Sequence, residues 1–317
     1  MKFSRRGLFV VLGVLVWIFL GWRIVPYVTD TLRNGQYPVA NISFKFIAVA
    51  MLLIPINYGL EAIKWHYLVF KRNAQSFWLA YKSVLSGMAL GILTPNRIGE
   101  PFARALMVPN GSYLTSTAAA LICSLSQQAA TLLFGIAGAL ILSNQYSYAT
   151  SNLIWYIGVA SLLVSLSIST LLLSPALLRW IAHHHFTRKV MQSIRGIDSF
   201  TLKQVATIQF ISLIRYCIFL TQYVCILYAF GSSLPIIHLV SGVACIFLVG
   251  SIIPLPAIVD VGVKISLAIL FLGSTLGNEK AAAASSTTIW IMNIAIPALI
   301  GTFFVISNSF ENKKLTN

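Results

Sequence analysis

The stretch Thr94-Pro95-Asn96-Arg97 interrupts an apolar segment running from Phe77 to Met107, and Pro254-Leu255-Pro256 interrupts a second apolar segment from Ile236 to Gly273. Proline removes a backbone hydrogen-bond donor and kinks or ends a helix, so each segment is predicted to form two helices. Inside a bilayer, broken backbone is tolerated only where protein or a water-filled cavity surrounds it. We therefore expect each break to lie inside the protein or beside a water-filled cavity.

The composition places the chain in a membrane. Of its 317 residues, 58% are hydrophobic and only 9% are charged, and the mean hydropathy is +0.84. A soluble domain carries about 25% charged residues. Segments near the roughly 20 apolar residues that cross a bilayer occur at Gly7–Tyr27, Phe46–Phe70, Leu114–Leu142, Leu153–Leu173, Val205–Phe230 and Thr287–Ile306. We predict an all-α polytopic membrane protein, in which the first segment is a retained helix and not a cleaved signal peptide.

The distribution of basic residues predicts the orientation. Lys and Arg cluster before the first span and in the Ser174–Lys203 linker, whereas the loops Ser143–Asn152 and Gly231–Pro235 carry no charge. The positive-inside rule then places both termini and this linker in the cytoplasm. Arg23, Arg33 and Lys45 fall in the first outer loop and count against this orientation, but they are outnumbered.

This orientation makes the segment 77–107 enter and leave on the cytoplasmic side and the segment 236–273 enter and leave on the outer side, so each is predicted to be a re-entrant helical hairpin. Each hairpin lies between two full spans, and the two units have opposite topology, which is typical of transporters. The alternative is that Phe77–Leu93 and Ile236–Ile253 are ordinary spans, since each has about the required length. The predicted single membrane domain, 1–317, divides into 1–44 (first helix and outer loop), 45–143 (first repeat), 144–203 (fourth span and linker), 204–307 (second repeat) and 308–317 (cytoplasmic tail).

The breaks of the hairpins and the fifth span bring together six charged side chains that we take as site candidates: Arg97, Glu100, Arg104, Arg215, Asp260 and Lys264. A charge near the centre of a spanning helix costs about 2.5–3.5 kcal/mol, so it is rare without a partner or a task. Four cations against two carboxylates leave two positive charges in excess, and the planar guanidinium suits phosphate. We therefore predict that these six residues bind substrate, with Pro95 favouring a helix start whose N-terminus attracts anions.

Structural explanations of the same charges stay open. Glu100 could pair with Arg97 or Arg104, Asp260 could pair with Lys264, and the two arginines could be anchors at headgroup level. For Glu61 and Lys64, near the cytoplasmic end of the second span, a structural role is expected.

Uncharged polar residues and glycines are also expected to support the structure. Polar residues in the spans should bond to one another (Asn57, Gln127, Gln128 and Gln222). Gly87 and Gly91 have the spacing that lets two helices approach closely.

Several functions are disfavoured. The net charge of +15 is spread over segment ends and does not form one face, so nucleic acid is not a predicted partner. The four cysteines lie in apolar segments without metal-ligand spacing, and His183-His184-His185 point in different directions on a helix. No phosphate-loop, GxSxG or HExxH motif occurs. We predict no metal site, no cofactor and no enzyme activity.

Three stretches carry a family resemblance: Asn57-Tyr58-Gly59-Leu60-Glu61-Ala62-Ile63-Lys64-Trp65, Thr94-Pro95-Asn96-Arg97-Ile98-Gly99-Glu100, and Ile252-Ile253-Pro254-Leu255-Pro256 continuing to Val261-Gly262-Val263-Lys264. They resemble motifs of the lysylphosphatidylglycerol synthase/flippase-like integral membrane family, in its Bacteroidetes-type form. The motif residues expected to support the site are Asn57, Glu61, Trp65, Pro95, Gly99, Pro256 and Gly262. Lys264 stands where many relatives have Arg, and the soluble aminoacyl-transfer domain of the full synthases is absent from this sequence.

The resemblance implies lipid translocation in a bacterial inner membrane. We expect a flippase or transporter whose partner is a membrane lipid with an anionic, phosphate-bearing headgroup. Glu100 and Asp260 would orient the cations or recognise an amine on the headgroup. One alternative is a non-catalytic scaffold that docks a lipid-modifying enzyme or glycosyltransferase through the basic linker. Another is an intramembrane enzyme with Glu100 or Asp260 as its base. The sequence predicts no oligomeric state.

Overall fold

All regular secondary structure in the described part of the chain is helical. The computed structural model describes residues 42–70, 75–92, 94, 97, 99–108, 113–143, 201–252, 257–273 and 279–314. In chain order the helices are α1 (Phe44–Trp65), α2 (Phe77–Gly91), α3 (Gly99–Leu106), α4 (Tyr113–Ser143), α5 (Leu202–Ala229), α6 (Ile236–Ile252), α7 (Ala257–Ala268), α8 (Glu279–Trp290) and α9 (Ile296–Lys314). Short π-helical turns extend α1 over His66–Phe70 and α7 over Ile269–Gly273, and a third joins α8 to α9 over Ile291–Ala295.

Four of the predicted spans are present as helices long and apolar enough to cross a membrane. They cover Phe44–Val69, Thr115–Leu142, Lys203–Ala229 and Glu279–Ser307. These correspond to the predicted second, third, fifth and sixth spans, so the all-helical membrane class is confirmed. The predicted first and fourth spans and nearly all of the basic linker lie outside the described residues.

The last span differs from its prediction at one end. It was predicted to begin at Thr287, but α8 begins at Glu279. The added turns are rich in alanine and serine, and Ala282 and Ser285 are fully buried because α8 packs against α5 and α7. Hydropathy misses such turns, since close helix packing selects small residues and not strongly apolar ones.

The first broken segment forms two antiparallel helices, α2 and α3. Ser76 caps α2 by accepting a hydrogen bond from the Leu79 amide at 3.3 Å. At the break, the Thr94 hydroxyl donates to the Gly91 carbonyl at 2.7 Å and accepts from the Gly99 amide at 2.9 Å. One threonine thus ties the end of α2 to the start of α3 and satisfies polar groups that the helix ends leave open.

Gly87 and Gly91 form the contact between α2 and α3. A Cβ atom on Gly91 would lie 2.7 Å from Glu100 Cβ, and one on Gly87 would lie 2.5 Å from Arg104 Cγ. Gly91 faces Glu100, and Gly87, four residues earlier on α2, faces Arg104, four residues later on α3. The two helices are therefore antiparallel. The predicted close approach at these glycines is confirmed.

The second broken segment has the same form. Gly250 of α6 faces Lys264 of α7, where a Cβ atom would lie 3.7 Å from Lys264 Cε. Further back along α6, a Cβ atom on Gly242 would overlap the Leu272 side chain. We call α2–α3 hairpin one and α6–α7, with its π-helical extension, hairpin two.

Each hairpin packs against a helix that belongs to the other half of the chain. Helix α2 packs along α9, and α6 packs along α4. A Cβ atom on Gly301 of α9 would overlap the Leu85 carbonyl oxygen, and one on Gly138 of α4 would lie 2.8 Å from the Ser241 carbonyl oxygen. Each hairpin thus rests its first helix against the final span of the opposite half, while α1 and α5 pack together between them.

Candidate functional site: a cationic cavity between the hairpins

Glu61 of α1 is the centre of a buried charge cluster. Only 3% of this residue is exposed. Its carboxylate lies 2.8 Å from Lys64 Nζ, 2.7 Å from Arg104 Nη1 and 3.1 Å from Arg215 Nη1. A buried charge is tolerated when it is paired, and here one carboxylate holds cations from α1, α3 and α5. Hairpin one is thereby tied electrostatically to both central helices.

The rest of this face of α1 also holds hairpin one. Lys64 is fully buried and donates to Ser212 Oγ at 3.0 Å, which fits the structural role predicted for it. Trp65 Nε1 donates to Ser83 Oγ at 3.1 Å, and the Ser83 hydroxyl donates to the Arg104 carbonyl at 3.1 Å. The tryptophan therefore positions the backbone that carries Arg104.

The two remaining carboxylates each have a cation four residues away. Glu100 pairs with Arg104 on α3, and Asp260 pairs with Lys264 on α7 at 2.5 Å. Both of these structural pairings were open alternatives in the sequence, and both form. Arg104 is 4% exposed and faces two carboxylates, whereas the Asp260 and Lys264 side chains are 16% and 17% exposed.

Arg97 stands at the break of hairpin one. Its backbone has φ +54°, an uncommon left-handed conformation that costs a non-glycine residue free energy and is enriched at functional sites. Its Nη1 donates to Met88 Sδ at 3.4 Å. Among the described residues Arg97 has no carboxylate partner, so it is the cation most available to an incoming anion.

Two adjoining cavities lie between the hairpins. The larger, about 400 Å³, is lined by all six predicted binding residues and by Glu61, and we call it the charged cavity. The smaller, about 170 Å³, we call the small cavity; among the described residues, its charged lining residues are Arg97, Arg215 and Lys264. These three cations line both cavities and therefore stand between them.

The site carries an excess of positive charge. Its cations are Lys64, Arg97, Arg104, Arg215 and Lys264, and its carboxylates are Glu61, Glu100 and Asp260. Adding Glu61 and Lys64 to the predicted set leaves its excess of two positive charges unchanged. In a low-dielectric surrounding this excess attracts an anion more strongly than it would in water.

The residues predicted to support the site differ in what they contact. Asn57 Nδ2 donates to Gln222 Oε1 at 3.2 Å, so the expected bonding between polar residues of the spans is confirmed for this pair. Gly99 fits closely against Thr94, and Gly262 faces open space. Pro95 and Pro256 lie outside the described residues.

Sequence reasoning underrated Glu61 and missed the uncharged lining residues of the small cavity. One signal was available for Glu61, because it is the sole acidic residue within the six predicted spans. Gln127 was expected to bond within the protein, and it does accept from Arg215 Nη1 at 3.0 Å, but it also lines both cavities. The aromatic lining residues look like ordinary apolar span residues in the sequence.

Comparison with known proteins bears on the family. No curated protein and no solved structure matches this chain. The family model described as "Lysylphosphatidylglycerol synthase TM region" matches residues 7–301, which include the three stretches that carry the resemblance and every residue of the cavity. The predicted family is thus confirmed, and the protein is a lipid-related membrane protein that belongs to the lysylphosphatidylglycerol synthase transmembrane-region family.

Proposed function

We propose that this protein moves a phosphate-bearing lipid between the leaflets of a bacterial inner membrane and catalyses no chemical reaction. One observation carries the proposal. Residues from hairpin one, hairpin two and α5, far apart in the sequence, line one cavity with an excess of positive charge. A phosphate is the common lipid group that such a cavity would bind, because arginine binds it through two parallel hydrogen bonds.

The lengths of the two helices of hairpin one support a re-entrant hairpin there. Helix α3 has 8 residues and α2 has 15, so they rise about 12 Å and 22 Å at 1.5 Å per residue. The hydrocarbon core is about 30 Å thick. An antiparallel pair this short returns to the face from which it started. With hairpin two entering from the other face, the protein would have six full spans in an inverted repeat and both termini in the cytoplasm.

The packing of the halves supports a rocking mechanism. Inverted-repeat transporters expose a central site alternately by moving one repeat against the other. Here the site lies between the two hairpins, and each hairpin is held by a span of the opposite half. Arg97 and Lys264 would contact the phosphate, with Arg215 behind them, while the acyl chains remain in the bilayer.

The pairing of the carboxylates supports transport over catalysis. A general base must have its carboxylate free to take a proton from substrate. Glu100 and Asp260 are each held by a cation of their own helix. The scaffold alternative rests on the basic linker, nearly all of which lies outside the described residues.

The test is lipid flipping by the purified protein in proteoliposomes, measured by quenching of a fluorescent phospholipid from outside. We expect Arg97→Ala to lower the flipping rate at least about tenfold, since one charge-assisted hydrogen bond contributes about 1.5–3 kcal/mol. Lys82→Ala is the matched control, because Lys82 lies on the same hairpin but contacts the Trp78 and Phe304 rings away from both cavities. Equal flipping by wild type and Arg97→Ala would refute the proposal.

A further inference from the structure

Helix α1 is bonded through buried polar side chains to both helices of hairpin one. Glu61 pairs with Arg104 of α3 at 2.7 Å, and Trp65 Nε1 donates to Ser83 Oγ of α2 at 3.1 Å. Within a bilayer, a buried polar group that loses its partner finds no water to replace it. Moving hairpin one away from α1 would therefore leave several buried groups unsatisfied.

Polar bonds also join α1 to α5. Gln222 Nε2 donates to the Ala50 carbonyl at 3.0 Å and its Oε1 accepts from Asn57 Nδ2 at 3.2 Å. Arg215 Nε donates to the Asn57 carbonyl at 3.3 Å. Since α1 belongs to the first half of the chain and α5 to the second, these bonds hold the two halves together. Movement between the halves must therefore lie in parts that these bonds do not hold.

Two further elements that line the cavities are bonded to α1. The Cys123 carbonyl of α4 accepts a hydrogen bond from Lys64 Nζ at 3.4 Å. The Asn293 carbonyl, in the π-helical turn Ile291–Ala295, accepts one from Tyr58 Oη at 2.5 Å. We call α1, hairpin one, α4, α5 and this turn the frame, because α1 is bonded to each of the other four.

Helices α6 and α7 of hairpin two differ from the frame in their polar contacts. In the described part of the chain, their side-chain hydrogen bonds join residues of the same hairpin: Ser251 with Leu248, Ser266 with Gly262, and Lys264 with Asp260. Ser241 faces Gly138 of α4, yet its buried hydroxyl has no partner among the described residues. Polar bonds of the kind that hold hairpin one are thus not found between these two helices and the described frame.

The contact between α6 and α4 is made by small residues and hydrocarbon. A Cβ atom on Gly135 would lie 2.6 Å from Leu248 Cβ, and one on Gly138 would lie 2.8 Å from Ala244 Cβ. Lipid tails are as apolar as such side chains, so little free energy is lost when apolar contacts between helices are exchanged in a bilayer. Packed helices of this kind can move by small sliding displacements.

A displacement of hairpin two would change the wall of the small cavity. Phe247 of α6 packs edge-on against Phe219 of α5, with ring centroids 4.6 Å apart, and both rings line this cavity. Lys264 Nζ lies 5.1 Å from the centroid of the Phe247 ring. The same displacement would therefore move Lys264 relative to Arg97 and Arg215, which the frame carries.

We propose that hairpin two is the moving gate of this transporter, and that it slides along α4 while the frame stays fixed. The inference rests on the proposed function, and it narrows the rocking motion to one hairpin. Hairpin one has a comparable close contact, between Leu85 of α2 and Gly301 of α9. Its bonds to α1 nevertheless keep it in place, so the two hairpins have unequal freedom to move.

Distances between pairs of spin labels in the full chain would test which element moves. The four native cysteines would be replaced by alanine, and cysteines for labelling would be introduced one pair at a time at exposed residues: Leu52 of α1, Phe102 of hairpin one, Phe210 of α5 and Ser266 of hairpin two. The pairs are Leu52→Cys with each of the other three. Distances would be measured by pulsed electron paramagnetic resonance in phosphatidylcholine nanodiscs, with and without phosphatidic acid.

We expect two distances for the pair Leu52–Ser266. Their populations should change at least about twofold when phosphatidic acid is added, because a ligand shifts the balance between two states that bind it unequally. The pairs Leu52–Phe102 and Leu52–Phe210 should each keep one distance in both lipids. A single unchanging distance for Leu52–Ser266, or an equal shift in Leu52–Phe210, would refute the gate.

A reversible crosslink would separate this proposal from the proposed function. In the same cysteine-free chain, Gly138→Cys with Ala244→Cys would join α4 to α6 by a disulfide, whose Cβ atoms lie about 3.8 Å apart. We expect the oxidised protein to flip fluorescent phospholipid several-fold more slowly than the same protein after reduction. Each single variant, treated with the same oxidant, is the matched control.

The recovery on reduction shows that the crosslinked protein is folded. Equal flipping before and after reduction, with the disulfide verified by mass, would refute the gate and leave the proposed function standing. No flipping by the wild-type protein would refute the proposed function, whatever the label distances show.

Discussion

Hairpin one and hairpin two carry the same pair of charges in different surroundings. Each has a carboxylate followed four residues later by a cation, Glu100 with Arg104 and Asp260 with Lys264. Arg104 is buried and also bound to Glu61 of α1. Lys264 is partly exposed, and its described polar and ring contacts stay within its own hairpin. Identical spacing thus yields an anchor in one hairpin and a displaceable pair in the other.

The difference assigns unequal tasks to the two halves. Moving Arg104 would break contacts with two carboxylates, whereas Lys264 can turn towards a ligand by breaking one partly buried i,i+4 pair. We expect hairpin one to hold the site in shape and hairpin two to respond to the headgroup.

The largest expected effect tests the anchor. Glu61→Gln would leave the buried Lys64 and Arg104, and the partly buried Arg215, without the carboxylate they share, and breaking a buried ion pair costs about 3–5 kcal/mol. We expect a strong fall in the unfolding midpoint in detergent, measured by denaturant titration with size-exclusion chromatography. The matched control is Glu279→Gln, at the exposed start of α8. A stability like that of wild type would show that Glu61 is not the anchor.

A smaller effect tests how hairpin one is supported from the other half. Gly301→Ala would push a methyl group into the Leu85 carbonyl of α2, and overpacking typically costs about 1–3 kcal/mol. The control is Gly59→Ala on α1, where no other atom lies within 4 Å of the added carbon and alanine favours the helix by about 1 kcal/mol. Equal melting temperatures for the two variants would contradict the packing of α2 on α9.

The smallest expected stability effect tests hairpin two. Asp260→Asn removes the partner of Lys264, and because this pair joins two residues of one helix and is less buried than the Glu61 cluster, we expect a smaller loss of stability than for Glu61→Gln. Freed from its carboxylate, Lys264 should retain more anionic lipid in native mass spectrometry. A destabilisation as large as that of Glu61→Gln would show that the two hairpins are anchored alike and would contradict the difference we infer between them.

The sequence predicted the described helices and left the Glu100–Arg104 and Asp260–Lys264 pairs as alternatives that do form, but it did not predict the ion pairs of Glu61 with Arg104 and Arg215. Proline breaks and apolar length gave the bounds of both hairpins closely, since these depend on local backbone chemistry. The ion pair between Glu61 and Arg215 depends on how α1 packs on α5, and spacing along the chain carries no information about that contact. The start of α8 was missed because its first turns consist of Glu279, Lys280 and small residues, which have a lower hydropathy than the rest of the span.

Because each hairpin packs on a span of the opposite half, the order of synthesis also determines when the fold can be completed. Helix α2 is synthesised early, yet the surface on which it packs belongs to α9, the final described helix. Glu61 and Arg104 can meet while synthesis continues, but Arg215 joins them only when α5 has been inserted. Assembly is therefore completed only after α9 has been inserted, and a nascent chain stalled before that point would present hairpin one, unsupported, to the membrane quality-control machinery.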